Sequence, residues 1–246
     1  AKNANQIMPA LLEAGANSNK VLGHAVNKRN QDLAMSAITI YNADPNPYVA
    51  TAIDKNDMNL LDLLLSNGAD ANGGLAHAVA KNNVVVTKKL LENGADANAQ
   101  LKTAAAAGSN SLVQAMLDSG ADPNNGALAA ANAAKYNTAK LLVEAGADAN
   151  LILQPAVVGK NELLVKACID NNADPNTGIK EAVEMNETRI AVLLLDAGAD
   201  ASPKSYIVTA CQKENESLVS KLIEKGADAN AGMKTAIEKN NTVIEI

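Results

Sequence analysis

The apolar residues of this chain fall in short clusters at two alternating kinds of spacing. Leu60, Leu61, Leu64 and Leu65 form one kind; Ile190, Leu193 and Leu194 repeat it. Residues three and four apart share one face of a helix, so each cluster predicts a helix with a single buried stripe. The other kind reads apolar-x-x-Ala-apolar: Leu22 with Ala25-Val26, Val49 with Ala52-Ile53, Leu75 with Ala78-Val79, Leu101 with Ala104-Ala105. It continues as Leu153 with Ala156-Val157, Ile179 with Ala182-Val183, Ile207 with Ala210-Cys211 and Met233 with Ala236-Ile237. The pattern predicts an all-α chain of paired helices.

Between the clusters stands one recurring phrase, most complete as Leu90-Leu91-Glu92-Asn93-Gly94-Ala95-Asp96-Ala97-Asn98. Its glycine position is filled by Gly15, Asn42, Gly68, Gly94, Gly120, Gly146, Asn172, Gly198 and Gly226, at spacings of 27, 26, 26, 26, 26, 26, 26 and 28 residues. A fixed period in this range is the signature of a stacked array. Glycine, and next to it asparagine, tolerates the left-handed conformation that ends a helix. Four residues later come Asn72, Asn98, Asn124, Asn150, Asn176 and Asn230, or Ser202. These residue types predict N-caps for the following helix, and Pro47 and Pro203 suit the first helical position after such a cap. Lys- and Asn-rich turns at Lys55-Asn56, Lys81-Asn82, Lys160-Asn161 and Lys239-Asn240 part the two helices of a unit.

The period divides the chain into a half unit (1–14), eight full units (15–41, 42–67, 68–93, 94–119, 120–145, 146–171, 172–197 and 198–225) and a partial unit (226–246), all in one repeat domain. The 28-residue unit carries its extra residues near Ser202–Tyr206. The chain begins at Ala1, which fits a trimmed start or a removed targeting segment equally. Val243, Ile244 and Ile246 are expected to be covered by further chain, by a partner or by packing across the last unit, because the end of a solenoid exposes an apolar face.

The Leu-Leu-x-x-Gly-Ala-Asp-x-Asn tail, together with the apolar-x-x-Ala-apolar helix before it, resembles the ankyrin repeat over nearly the whole chain. The departure is length. Ankyrin repeats run about 33 residues with a Thr-Pro-Leu-His start; here the units have about 26 and lack that start. The absent residues are those of the β-hairpin finger. The resemblance therefore implies an ankyrin-like α-solenoid without fingers, whose first helices line the concave side and whose role is non-catalytic protein binding.

Composition narrows the function. Apolar residues make up 48% of the chain, yet there is no Phe or Trp and only 4 Tyr, so Ala, Leu and Val must fill the core. A net charge of -6 without a basic stripe argues against nucleic acid. No apolar run is long enough for a membrane span. Cys168 and Cys211 lie a whole unit apart, too far for a disulfide, and read as small buried apolar residues. His24 and His77 are two units apart and form no metal site. The aspartates Asp70, Asp96, Asp122, Asp148, Asp200 and Asp228 form a row with one carboxylate per loop, too few for calcium; they are expected to bond loop amides. No nucleophile–base pair is present, so no enzyme activity, cofactor or metal is expected.

What remains is surface. The exposed positions of the first helices are polar or charged near the ends of the array: Asn27, Asp54, Lys180, Glu184, Gln212, Lys234 and Glu238. At the centre they are Lys102, Ala106, Leu128, Asn132, Gln154 and Val158. Small and apolar residues flanked by charge fit an interface core with a polar rim; they fit close packing of Ala-rich helices equally well. Tyr48, Tyr136 and Tyr206 stand at loops, and tyrosine is enriched among interface hot spots. The expected partner is another protein. The sharper reading is an inhibitor or antidote covering an enzyme, for instance a bacterial hydrolase, with a lean towards an exported bacterial protein; the alternative is a scaffold bridging several proteins.

Overall fold

The computed structural model describes residues 4–244, and side chains for residues 7–239. All regular structure among them is helical, with no strand. The first helices of the units are α2 (Ser18–Lys28), α4 (Val49–Asp54), α6 (Asn72–Ala80), α8 (Asn98–Ala107), α10 (Asn124–Asn132), α12 (Asn150–Val158), α14 (Asn176–Glu184), α16 (Lys204–Gln212) and α18 (Ala229–Ile244). The second helices are α1 (Ala4–Glu13), α3 (Gln31–Thr39), α5 (Met58–Ser66), α7 (Val84–Glu92), α9 (Asn110–Asp118), α11 (Tyr136–Glu144), α13 (Glu162–Asp170), α15 (Thr188–Asp196) and α17 (Glu216–Glu224). The fold class is the all-α solenoid read from the sequence. Contacts group the chain into two compact bodies, one up to Gln100 together with Gln114–Ala121, the other Leu101–Val113 and from Asp122 onward.

Helix ends follow the backbone chemistry expected. Gly68 and Gly94 sit at φ 85° and 87°, and Asn42 and Asn172 at 51° and 64°, where the last helical carbonyls are met by amides beyond the turn. The turn inside each unit also needs one left-handed residue. Asn56, Asn82 and Asn186 serve there, but so do Arg29, Ala134, Lys160 and Glu214. At Lys160-Asn161 the lysine takes the strained position because Asn161 is occupied as the N-cap of α13, accepting from the Leu164 amide at 2.8 Å. Asn30, Asp57, Asn83 and Asn215 cap other second helices in the same way.

The asparagines at the start of the first helices do something different from the capping expected of them. Asn72 is already helical. Its amide and its side-chain Nδ2 both donate to Asp70 Oδ1, each at 2.9 Å. Its own Oδ1 then accepts the Asp96 amide of the next unit at 2.8 Å. The pattern recurs from Asn46 to Asp70, Asn124 to Asp148, Asn150 to Asp174 and Asn176 to Asp200. The aspartate holds the turn, as expected of that row, and the asparagine ties unit to unit. Ser202 is too short to do both and turns its hydroxyl back on Asp200 Oδ2 at 2.9 Å. Burial is slight here. Backbone and hydroxyl donors of Ser202 still hold the Asp200 carboxyl below the usual range.

Pro47 and Pro203 do not open α-helices. Pro47 lies in a 3₁₀ turn, Asn46–Tyr48, ahead of α4, and Pro203 precedes α16 in an extended conformation at ψ 116°. Nor does the chain turn at Lys239-Asn240, because α18 runs through both residues without a break. Its Met233 and Ile237 are consequently 56% and 54% exposed, where the matching Leu75 and Val79 are buried. The side chains of Val243, Ile244 and Ile246 fall outside the described residues.

The core is built from Ala, Leu, Val and Ile. Close approach of first helices is set by glycine at every second unit. A Cβ on Gly74 would lie 2.7 Å from Val49 Cγ1 and 2.8 Å from Ile53 Cδ1; on Gly126 it would meet Ala105 Cβ at 3.0 Å and Leu101 Cγ at 3.1 Å. Gly178 and Gly232 are equally crowded. The units between carry Tyr48, Gln100, Ile152 and Tyr206 at this position. The 26-residue repeat thus conceals a two-unit alternation of large and small side chains.

One core position is chemically odd. Thr87 is fully buried, and its hydroxyl has no hydrogen-bond partner. The equivalent residues of other units are Leu61, Val113, Ala139, Val165 and Ala191. A buried hydroxyl without a partner costs about 1–3 kcal/mol, so Thr87→Val, which keeps the shape, should raise stability by about 1–2 kcal/mol in urea unfolding. An unchanged or lower midpoint would contradict the assignment of Thr87 as unsatisfied.

Candidate binding face

The second body holds α8 from Leu101 onward together with α10, α12 and α14. Gly126 seats α10 against α8, and α12 packs on α10 and α14 on α12. Their outward faces are read by helical spacing. On α12 the exposed residues Leu151, Gln154 and Val158 stand at i, i+3 and i+7, one continuous stripe. Leu151 is 55% exposed, Val158 54%, and Leu128 on α10 is 41%. Lys102 on α8 and Asn132 on α10 are exposed, and Ala106 is half-buried. The six central positions therefore face outward from neighbouring helices of one body.

Leu151 belongs with them, although two positions per helix, the count that the repeat pattern suggests, pass over it. The signal was present: Leu151 lies three residues before Gln154 and seven before Val158, on the same face. On the α14 side the stripe meets charge. Gln154 Nε2 donates to Glu181 Oε1 at 3.0 Å, and Lys180 and Glu184 form an exposed ion pair at 3.9 Å, of a kind worth little. On the α8 side the charge is Lys102.

Of the three tyrosines expected at loops, only Tyr48 lies outside an α-helix, in the 3₁₀ turn Asn46–Tyr48; Tyr136 is the first residue of α11 and Tyr206 lies inside α16. Tyr48 donates to the Asn19 carbonyl at 3.0 Å, and a Cβ on Gly23 would lie 2.7 Å from its hydroxyl. Tyr136 lies against Gly159 in the same manner. Tyr206 adjoins the acidic edge of the face. Burial first, then the carboxylates of Asp200, Glu181 and Glu184, raise its hydroxyl above the usual tyrosine range.

Other candidate chemistry is dispersed. His24 is exposed, and His77 Nε2 pairs with Asp54 Oδ1 at 2.6 Å. Asp54 is held below the usual range by Lys81 and then His77. Cys168 is buried, and desolvation pushes its thiol up to about 12; Cys211 is only half-buried, against the full burial expected of it, and both are free. Among the described residues no group of three His, Cys, Asp or Glu could hold a metal, and no helix is long and apolar enough to cross a membrane.

Stacked helix pairs of this kind have counterparts among solved structures. The ankyrin repeat domain of Bcl-3, described as a unique member of the IkappaB protein family, is similar at a TM-score of 0.58 and 18% identity, over 71% of this chain and 96% of that one. The fold is that of the ankyrin repeat. The human ASB11 ankyrin repeat domain is also similar, at a TM-score of 0.50 and 20% identity, over 63% of this chain and 84% of that one. No family model and no curated protein matches the sequence. At these identities the likeness is one of fold. Relative to the usual ankyrin unit the 26-residue period leaves no hairpin finger, and the Asp-x-Asn ladder occupies the loop edge that joins successive units.

Proposed function

We propose that this ankyrin-repeat chain is a non-catalytic protein-binding module whose partner docks on the outward faces of α8, α10, α12 and α14. The observation that carries the proposal is the stripe of Leu128, Leu151 and Val158, exposed together in the middle of a helix array whose other large aliphatic residues are mostly buried. An apolar centre bounded by Lys102, Asn132, Lys180 and Glu184 has the anatomy of an interface core and its rim. Of the three tyrosines, Tyr206, beside the acidic rim, serves as a flanking contact.

A finer reading is an inhibitor that covers a single enzyme, for instance an exported bacterial hydrolase. An acidic chain with an exposed apolar face suits that role; a scaffold joining several proteins is the alternative. Affinity capture from the native source separates them. An inhibitor retains one stoichiometric enzyme whose activity falls on binding, whereas a scaffold retains several proteins and alters none.

The face itself is tested by Leu128→Arg combined with Val158→Asp. Both side chains are exposed, so helical content and melting should stay near those of the parent. Partner affinity should fall by at least about a hundredfold, as expected when charges enter the core of an interface. Undiminished binding would place the partner elsewhere.

A further inference from the structure

The centre of this face contains a residue that weakens its own helix. Pro155 lies inside α12. It has no N–H to return to the carbonyl four residues back, that of Leu151. The other first helices carry His24, Thr51, His77, Thr103, Ala129, Glu181, Thr209 and Thr235 at the same position, so the repeat itself does not require proline. Interior proline is the least favourable helical residue, and a local rule broken without an evident compensating gain points to a functional or strained position. Here its effect is specific. It leaves the carbonyl of Leu151, a residue of the exposed stripe, without the backbone donor four residues on. One helix further on, Glu181, Glu184 and the Tyr206 hydroxyl add more acceptors. Lys180 pairs only loosely with Glu184.

Resting on the docking face proposed above, we propose that it takes a basic segment of a partner protein. Aliphatic side chains of that segment pack on Leu128, Leu151 and Val158. An N–H of the segment donates to the Leu151 carbonyl, and an arginine or lysine pairs with Glu181 and Glu184. The distance from α10 to α14 is two helix spacings, about 16–20 Å, which an extended chain covers in about five or six residues. The segment therefore carries its base about that far from its first aliphatic anchor. Charge complementarity favours this polarity: the face is acidic at its α14 edge, and the whole chain carries a net charge of -6.

The test is selection of a phage-displayed library of random 12-residue peptides on the full chain, with winners resynthesised and measured by fluorescence polarisation. Enriched peptides should pair aliphatic residues with arginine or lysine at the stated spacing. Their affinity should fall about tenfold on the Glu181→Lys, Glu184→Lys variant, and replacing the peptide's base by glutamate should restore it there. Pro155→Ala should melt about 2–4 °C higher and bind the same peptides several-fold more weakly. Peptides without a basic preference, no enrichment at all, or affinities indifferent to the charge reversal would overturn the proposal. Peptides that bind the Leu128→Arg, Val158→Asp variant as well as the parent would instead overturn the docking face itself, so the two failures are distinguishable.

Discussion

Gly126→Leu is expected to lower stability by about 3 kcal/mol and the melting temperature by about 6–12 °C. The site has no room. A methyl group alone would press on Ala105 Cβ at 3.0 Å, Leu101 Cγ at 3.1 Å and Leu142 Cδ1 at 3.3 Å. Two of those neighbours are on α8 and the third is on α11, so relief requires α10 to move from both helices at once. The same side chain one unit on should be harmless. Ile152 occupies the equivalent position at 1% exposure, and Ile152→Leu should cost less than about 1.5 kcal/mol. Thermal and urea unfolding of the two variants measure the difference. Equal costs at Gly126 and Ile152 would remove the case for a two-unit alternation and leave the ordinary single repeat.

Asn150→Asp should cost about 2 kcal/mol at neutral pH, and part of that cost should disappear as the pH falls. Asn150 Nδ2 donates to Asp148 Oδ1 at 3.1 Å while its Oδ1 accepts the Asp174 amide at 2.8 Å. A carboxylate at position 150 keeps the second bond. It loses the first, whose acceptor is charged and which is worth more than a neutral bond, and it sets a like charge against Asp148. The new acid is therefore easier to protonate in the folded state than in the unfolded chain, so its folded pKa is raised. Stability linked to it is present below the unfolded value, near about 4, and is lost as pH rises through the folded value. The gap between parent and variant should narrow on acidification, measured by urea midpoints from about pH 7 to about pH 4. A constant gap would mean that the Asp148 bond contributes little. Asn150→Ser, which copies the arrangement at Ser202, should keep the turn but lose the tie to Asp174.

The repeat, the helix pairs and their boundaries were legible because they rest on local rules. A left-handed residue ends each helix, and an apolar stripe with a three-to-four spacing needs one neighbour to bury it. The carboxylate row was legible for the same reason: Asp70 and its equivalents bond amides two residues away. Local rules also produced the errors. Asn72 has the residue type of an N-cap, but with Asp70 already satisfying its amide, its side chain is free to reach Asp96 of the next unit. At Lys239-Asn240 the turn composition was present without the turn. Of the face, Lys102, Leu128, Asn132, Gln154 and Val158 could be placed outward by counting along each helix, and Leu151 could have been.

The sequence by itself determined the all-α repeat, its period and its capped loops, because each depends on residues only a few positions apart. The tertiary structure alone decided which asparagines bind across units, which glycines admit a neighbouring helix and which leucines stay uncovered. Those outcomes depend on side chains a whole repeat unit distant in the chain, brought within van der Waals contact or hydrogen-bond reach by stacking.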